Sequence, residues 1–299
     1  MASLYDNQDA NIRRTWVIMT AFLCVVIGVG YVVAGYAGNP AILWFAVAGS
    51  VFMNASAFWF SDKLAIASAG AVAADDVQYR ELHRVVENLA ITAGLPKPKV
   101  YIINDPAPNA FATGRNPEHA SIAVTTGLLA IMTRAELEGV LAHELSHIGN
   151  RDILVSSVAV VLVGFIAIVA DMLWRVSMFG LPGQGGNDDR DRSPIFLIAG
   201  FLIMFLGPLV AQLMQLAISR KREYLADASG ALLTRYPEGL ASALQKIGNY
   251  AAPMQRASSA TAHLFISNPF GAGAVSGFMR NLFSTHPPIE ARVKALLDH

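Results

Sequence analysis

Two histidines four residues apart are the residues of this chain whose types and spacing best suit chemistry. They stand in the segment His143-Glu-Leu-Ser-His147. On a helix, positions i and i+4 lie one turn apart on the same face, so both imidazoles can point at one ion. Glu144 follows the first histidine and can reach a water on that ion as a general base. The spacing therefore predicts a hydrolytic zinc site, with a surface helix that carries two histidines as the alternative.

The helix that must hold this pair has its own start signal. Thr133 and Glu136 form a capping-box pattern, which predicts that the helix begins near Arg134. The apolar residues that would pack this helix into a core are Leu137, Val140, Leu141, Leu145 and Ile148.

A catalytic zinc site needs a third protein ligand, since such sites use three protein ligands and a water. We choose Glu223 among the remaining His, Asp and Glu residues. Asp227 lies four residues further on, hence on the same predicted helix face, where it can accept a hydrogen bond from the outer nitrogen of a ligand histidine. Ala226 and Gly230 share that face, and their small size would let the two helices approach closely. The alternative is a solvated carboxylate pair, although like charges one turn apart are mildly unfavourable without a cation.

The composition is that of a membrane protein. The chain has 299 residues, of which 54% are hydrophobic and 15% charged, and its 22 basic and 22 acidic residues give a net charge of zero. Low charge with high apolar content excludes a disordered chain. The lack of basic excess argues against a general nucleic-acid binder. Cys24 is the single cysteine, which excludes an intramolecular disulfide framework and a multi-cysteine metal site.

Long stretches without charged residues predict where the chain crosses the membrane. A bilayer core needs about 20 apolar residues, so the run Thr15–Ser61 is too long for one span, and Gly38-Asn39-Pro40 divides it. The predicted spans are Thr15–Tyr36, Ala41–Phe60, Ile153–Ala170 and Ser193–Ser219. The alternatives are core helices of a soluble protein and, for the first run, a cleaved signal peptide.

The distribution of basic residues sets the predicted topology. Nineteen of the 22 Lys and Arg residues fall on one side if four spans leave both chain ends inside. Spans three and four make a round trip, so the His143 and Glu223 helices meet on the same side, near the membrane surface. The expected layout is a tail over 1–14, spans one and two over 15–60, a first catalytic part over 61–152, spans three and four over 153–219 with an external loop over 173–193, and a second catalytic part over 220–299.

Five segments, in order, carry a resemblance to a known family. They are Gly94-Leu-Pro-Lys-Pro-Lys-Val-Tyr101, Asn109-Ala-Phe-Ala-Thr-Gly114, His143-Glu-Leu-Ser-His147, Glu223-Tyr-Leu-Ala-Asp227 and Thr285-His-Pro-Pro288. This set resembles the HtpX-type membrane-bound zinc metalloproteases of bacteria and archaea, which are related to the CAAX prenyl protease. The resemblance covers nearly the whole chain. It implies a mainly α, integral membrane protein with four transmembrane helices and a cytoplasmic α+β zincin catalytic domain that bears a small β-sheet.

The resemblance also implies an activity and residue roles. It implies a gluzincin-type endopeptidase that uses Zn²⁺, with His143, His147 and Glu223 as zinc ligands and Glu144 as catalytic base. The expected substrates are misfolded or damaged membrane proteins, in quality control and the stress response. The expected location is the cell (inner) membrane, as a multi-pass protein whose catalytic domain faces the cytoplasm. The lipid bilayer is then a partner and nucleic acid is not, while the oligomeric state stays open.

Three short strands are predicted at Val100–Ile103, Asn109–Thr113 and Ile122–Thr125. An exposed edge there could pair with an extended substrate backbone, as in peptide-binding grooves. The residues of this expected substrate strand are Asn109, Ala110, Phe111 and Ala112. The alternative is a plain sheet edge.

Two residues near the end of the chain are placed beside the site by the resemblance. His286 would donate a hydrogen bond to a developing oxyanion, and Arg292 would pair with Asp227. The alternative is a helix-start turn after Pro287-Pro288 with a solvent-facing arginine.

Two other functions remain as alternatives. A non-catalytic membrane scaffold with a structural metal site would have four protein ligands, and Glu144 would have no role in it. A CAAX-type prenyl protease would apply the same chemistry to a prenylated substrate, although the four-span plan and the motif set fit it less well.

Overall fold

The computed structural model describes residues 4–179, 220–255, 261–270 and 287–298. It begins with a hairpin of two long helices, α1 (Leu4–Ala37) and α2 (Ala41–Ser68). The link between them is short because Gly38 adopts a left-handed backbone conformation (φ +62°) that suits glycine. The helices pack closely, so that Asn54 Nδ2 of α2 donates a hydrogen bond to the Met19 carbonyl of α1 (3.3 Å).

Both helices of this hairpin are long and apolar enough to cross a membrane, over Gln8–Gly35 and Ala41–Ser68. Trp44 and Phe45 of α2 are each more than 70% exposed, which suits contact with lipid rather than with water. The two N-terminal spans predicted from the sequence are therefore confirmed as membrane-capable helices. Helix α1 also extends over most of the segment that was predicted as a tail.

A third apolar helix follows the histidine-bearing helix directly. Helix α5 (Arg134–Gly149) and helix α6 (Asp152–Phe179) meet at 83°, and they would make a third span if a bent pair counts as one. The predicted span Ile153–Ala170 lies within α6. The predicted span Ser193–Ser219 lies outside the described residues.

The described residues include a four-stranded mixed sheet in the order β1-β2-β4-β3. Its strands are β1 (Val72–Ala73), β2 (Lys99–Ile103), β3 (Ala110–Gly114) and β4 (Ala120–Thr125). Strands β2 and β4 run parallel, and the other two pairings are antiparallel. The three predicted strands are confirmed to within about two residues, and β3 lies at an edge of the sheet. All five β3 residues are buried, so the expected exposed edge is instead a covered one.

Helix α5 lies at the centre of the main hydrophobic core. Around it are α3 (Arg80–Ala93), α4 (Thr126–Ile131), α7 (Arg220–Thr234), α8 (Pro237–Gly248) and α9 (Ile289–Leu297). Val140, Leu141, Leu145 and Ile148 of α5 are completely buried. Each such leucine or isoleucine contributes about 1.5–3 kcal/mol relative to an exposed one, which holds the histidine-bearing helix firmly in place.

The start of α5 is the predicted capping box. The Thr133 hydroxyl accepts from the Glu136 N–H (3.4 Å), and Glu136 Oε2 accepts from the Thr133 N–H (2.7 Å). Glu136 also accepts from Ser242 Oγ (2.6 Å) and Lys246 Nζ (2.7 Å) of α8. Burial favours the neutral form of Glu136, but the bonds from Lys246, Ser242 and Thr133 outweigh it and lower the pKa to about 2. This carboxylate therefore fastens α8 to the first turn of α5.

Candidate metal centre

Helix α5 presents His143 and His147 together. Their ring centroids are 4.7 Å apart with the planes at 90°, and their Nε2 atoms are 3.2 Å apart. His143 is buried and the side chain of His147 is 15% exposed. The two Nε2 atoms are the ring nitrogens further from the backbone of α5. Because they are this close, both histidines can bind one ion.

Glu223 of α7 completes a three-residue cluster. Its Oε2 lies 3.8 Å from His143 Nε2, and its Oε1 lies 3.6 Å from His147 Nε2. One ligand atom from each residue lies within 4.8 Å of the other two, so the three side chains could hold a metal ion. Sequence and structure thus bring the same three side chains together.

The spacing of these atoms fits a tetrahedral ion. Ligand bonds of about 2.0–2.1 Å, which zinc makes to nitrogen and oxygen, put neighbouring tetrahedral ligands about 3.3–3.4 Å apart. The contacts among the three side chains are 3.2, 3.6 and 3.8 Å. Two imidazoles and one carboxylate also match the donor set of catalytic zinc sites, which leave one position open.

Small residues allow α7 to approach α5 closely. A Cβ atom added to Gly230 would lie 2.9 Å from the His143 backbone nitrogen and 3.2 Å from its Cα. Ala226, one turn before Gly230, is completely buried. The expectation that small residues on this face let the helices come together is confirmed.

Asp227 contacts the outer ring nitrogen of His143, and Arg292 in turn binds Asp227. Asp227 Oδ1 lies 2.9 Å from His143 Nδ1, so the ring N–H can donate to the carboxylate while Nε2 faces the cluster. Arg292 donates from Nη2 to Asp227 Oδ1 (2.6 Å) and from Nε to Oδ2 (2.8 Å). Arg292 is completely buried on α9 rather than solvent-facing. Burial favours the neutral form of Asp227, but the bonds from Arg292 and His143 lower its pKa to about 2.

Asp152 contacts the outer ring nitrogen of His147, as Asp227 contacts that of His143. This contact was not predicted from the sequence. Its Oδ2 lies 3.0 Å from His147 Nδ1. Asp152 follows His147 by five residues, a spacing that does not share a helix face. The helix ends at Gly149, and the left-handed Arg151 (φ +57°) turns Asp152 back towards the ring. The sequence does place an acidic residue shortly after the two histidines. We did not select it because a spacing of five residues does not share one face of a helix.

The charges around His147 favour its protonated form when no cation is present. Burial lowers the pKa of His147, but the Asp152 hydrogen bond and the negative charges of Glu223, Asp152 and Glu144 raise it to about 9. A site with this much negative potential favours a divalent cation in place of that proton.

Glu144 lies between the two histidines on α5 and is buried. Its negative charge contributes to the raised pKa values of both His147 and Arg292, so it acts electrostatically on the cluster from close by. This is the residue that the sequence predicts as a general base.

Of the remaining predicted site residues, those of β3 lie within the described structure and His286 does not. Asn109 and the first residues of β3 lie beside the segment that follows Thr261, where the Ile266 N–H donates to the Ala110 carbonyl (2.9 Å). The Ile266 carbonyl accepts from Arg292 Nη1 (3.3 Å), which connects β3 to the cluster. His286 lies outside the described residues.

Comparisons with known proteins identify the family of this chain. The sequence pattern of peptidase family M48 matches residues 76–299. A protease HtpX homolog of Caldanaerobacter subterraneus is 48% identical over 98% of this chain and 97% of its own length. One from Tropheryma whipplei is 45% identical over 99% and 98%.

A solved structure shares the fold at lower identity. S. mikatae Ste24p has a TM-score of 0.51 and 20% identity, and the match covers 98% of this chain and 66% of that longer one. The family match, the close relatives and the membrane-capable helices lead to one conclusion: the chain belongs to peptidase family M48 and is a membrane-bound metalloprotease.

Proposed function

We propose that this metalloprotease is a zinc endopeptidase whose metal is held by His143, His147 and Glu223, with Glu144 as general base. The observation that carries the proposal is the convergence of the three side chains from α5 and α7, at separations that suit a tetrahedral ion. Zinc bound there would supply Lewis-acid polarisation of the scissile carbonyl.

In this mechanism the protein's own residues move the proton and hold the geometry. Glu144 takes a proton from the attacking water and later passes it to the leaving amine. Asp227 and Asp152 keep the outer ring nitrogens of His143 and His147 engaged, so that each Nε2 faces the reaction centre. We assign His286 as a donor to the developing oxyanion, a role that rests on the family resemblance.

We propose that an extended substrate binds along β3. Asn109 and Phe111 direct their backbone groups to β4, as the bond from the Thr125 N–H to the Asn109 carbonyl indicates. By the alternation of antiparallel strands, Ala110 and Ala112 direct theirs to the outer edge. The Ala110 carbonyl accepts from Ile266 at that edge, so a substrate strand would pair next to this segment or displace it.

We propose a four-span topology with the catalytic region in the cytoplasm of a cell membrane. Helices α1 and α2 are membrane-capable, α6 leaves α5 directly, and Glu223 follows the fourth charge-free run by four residues. The concentration of Lys and Arg on one side supports the orientation. The layout by residue ranges given above is part of this proposal.

The substrates that this arrangement suits best are misfolded or damaged membrane proteins. Helix α1 and the first residue of α6 both contact the α5 end of the candidate centre, so a cleaved segment would lie close to the bilayer. A scaffold with a structural metal site is disfavoured because it gives the buried Glu144 no role. A CAAX-type protease is disfavoured because the relatives of 45–48% identity are HtpX proteases, while the likeness to Ste24p shows the fold alone.

The test compares the wild type with Glu144→Gln and His143→Ala in the same membranes. We expect Glu144→Gln to keep stoichiometric zinc and to lose at least about 10²-fold in peptide cleavage, the size of a general-base contribution. His143→Ala should lose both zinc and cleavage. Proteomics of membrane fractions with active enzyme and with the Glu144→Gln form would identify the substrates. Full turnover by purified Glu144→Gln, or full zinc content in His143→Ala, would contradict the assignment.

A further inference from the structure

Asn11 of the N-terminal membrane helix is buried against the candidate metal centre. It lies four residues before the charge-free run of α1 and is 2% exposed. Its Nδ2 donates to Asp152 Oδ1 (2.7 Å) and to the Asn150 carbonyl (2.9 Å). These contacts join residues about 140 positions apart in the chain, at the break between α5 and α6.

The amide of Asn11 uses both its donor and its acceptor capacity. Its Oδ1 accepts from Arg222 Nη1 of α7 (3.2 Å) and from Arg14 Nη1 of α1 (3.4 Å). An asparagine amide has two N–H donors and two acceptor positions, so this one is saturated. A buried amide with a partner in every direction is held in one orientation.

The two oxygens of Asp152 have different partners: Oδ1 contacts Asn11 and lies 3.6 Å from Arg222 Nε, whereas Oδ2 contacts His147. Oδ1 accepts from Asn11, and Oδ2 lies 3.0 Å from His147 Nδ1. A carboxylate fixed at one oxygen has its plane and torsion fixed at the other. The orientation of the His147 ring, and the direction of its Nε2, therefore depend on a side chain of α1.

We propose that Asn11 is a positioning residue of the metal centre: it holds Asp152 in the conformation that aims His147, and so makes α1 part of the catalytic unit. This inference rests on the proposed role of His147 as a metal ligand. It predicts that metal affinity depends on the contact between Asn11 and Asp152, which α1 supplies, and not only on the residues of α5 and α7.

Gln8 provides a matched control on the same helix. It lies one turn before Asn11 and also carries an amide, which donates from Nε2 to the Gly149 carbonyl (2.8 Å). It therefore contributes to the same docking of α1 on the end of α5, but it contacts backbone rather than the support of a ligand. Removal of Gln8 tests docking alone.

The experiment measures Zn²⁺ affinity of the full-length protein in detergent, by competition with a chromophoric chelator. Asn11→Asp is the informative variant because it keeps the volume and the contact with Arg222 but replaces the donor by a carboxylate. We expect Asn11→Asp and Asn11→Ala to bind zinc about tenfold more weakly, at the low end of the 10–100-fold effects of removing groups that orient metal ligands. Gln8→Ala should stay within about twofold of the wild type.

A double-mutant cycle separates positioning from general stability. In an Asp152→Ala background, which itself should bind zinc about 10–100-fold more weakly, Asn11→Ala should have no further effect on affinity, whereas it should still change the melting temperature of the zinc-free protein. Wild-type affinity in Asn11→Asp, or an equal loss in Gln8→Ala, would overturn the inference while leaving the ligand assignment intact. Stoichiometric zinc in His147→Ala would instead overturn the ligand assignment and this inference with it.

Discussion

Helices α5 and α7 approach each other closely at Gly230. The substitution Gly230→Ala therefore tests whether this contact sets the geometry of the site. The new Cβ would meet three backbone atoms: His143 N at 2.9 Å, His143 Cα at 3.2 Å and the Ala142 carbonyl carbon at 3.3 Å. None of these can rotate away. Ordinary contact needs about 3.5–4.0 Å, so α7 must move from α5 by about 0.6–1 Å.

The expected effect on stability is small, and the expected effect on the site is large. Overpacking costs about 1–3 kcal/mol, but alanine in place of glycine returns about 1 kcal/mol of helix propensity. The net loss should be about 0–2 kcal/mol. Displacement of Glu223 with α7, by up to 1 Å, separates it from the histidine pair, and misplacements of this size cost up to about 10²-fold in rate.

The assay is kcat/KM on a quenched peptide, with zinc content and melting temperature measured on the same sample. We expect a 10–100-fold loss of kcat/KM with a melting temperature close to that of the wild type. Gly149→Ala on α5 is the matched control, since its Cβ would meet nothing nearer than Leu95 Cδ1 at 3.7 Å. Wild-type activity and zinc content in Gly230→Ala would refute the claim that this contact sets the ligand spacing.

Two further predictions concern the ion pairs of Arg292 and Glu136. Arg292→Lys should lower kcat/KM about tenfold because an ammonium cannot match both oxygens of Asp227; kinetics at saturating zinc would test it, and an unchanged value would count against a positioning role. Glu136→Gln should destabilise the zinc-free protein by about 1–2 kcal/mol at pH 7, since the pKa of Glu136 is lowered from 4.5 to about 2 and solvent screens part of its pairing with the partly exposed Lys246. A lowered folded-state pKa contributes stability above the unfolded value that is lost on acidification, so the difference in unfolding free energy should shrink as the pH falls from about 4.5 towards 2. A difference that does not change over this range would contradict the assignment.

Local patterns were sufficient to predict the parts of the centre that depend on helix periodicity. His143 and His147 share a face because they are four residues apart, and Glu223 with Asp227 repeats that spacing on a second helix. The close approach of α5 and α7 was predicted because Gly230 has no Cβ atom. These expectations needed only the α-helix and the size of side chains.

The parts that sequence reasoning missed depend on a break in periodicity and on distant packing. Asp152 reaches His147 only because Arg151 takes a left-handed conformation after α5 ends. Asn11 reaches Asp152 across some 140 residues, and polar residues before an apolar helix are ordinarily interpreted as a solvated flank. The pairing of Arg292 with Asp227 was predicted through family resemblance rather than through any spacing. The edge of β3 is covered by a residue far along the chain, Ile266, whose N–H donates to the Ala110 carbonyl.

In the proposed four-span topology, the 83° bend between α5 and α6 would couple the candidate metal centre to the membrane. Only Asn150 and Arg151 separate the histidine-bearing helix α5 from the apolar helix α6. So short a link lets the two helices move relative to each other only slightly. Helices tilt to match the thickness of the bilayer that holds them. If α6 spans the bilayer as proposed, a tilt of α6 would displace Asp152, its first residue, and we expect the hydrolytic rate to vary with the acyl-chain length of the host lipid.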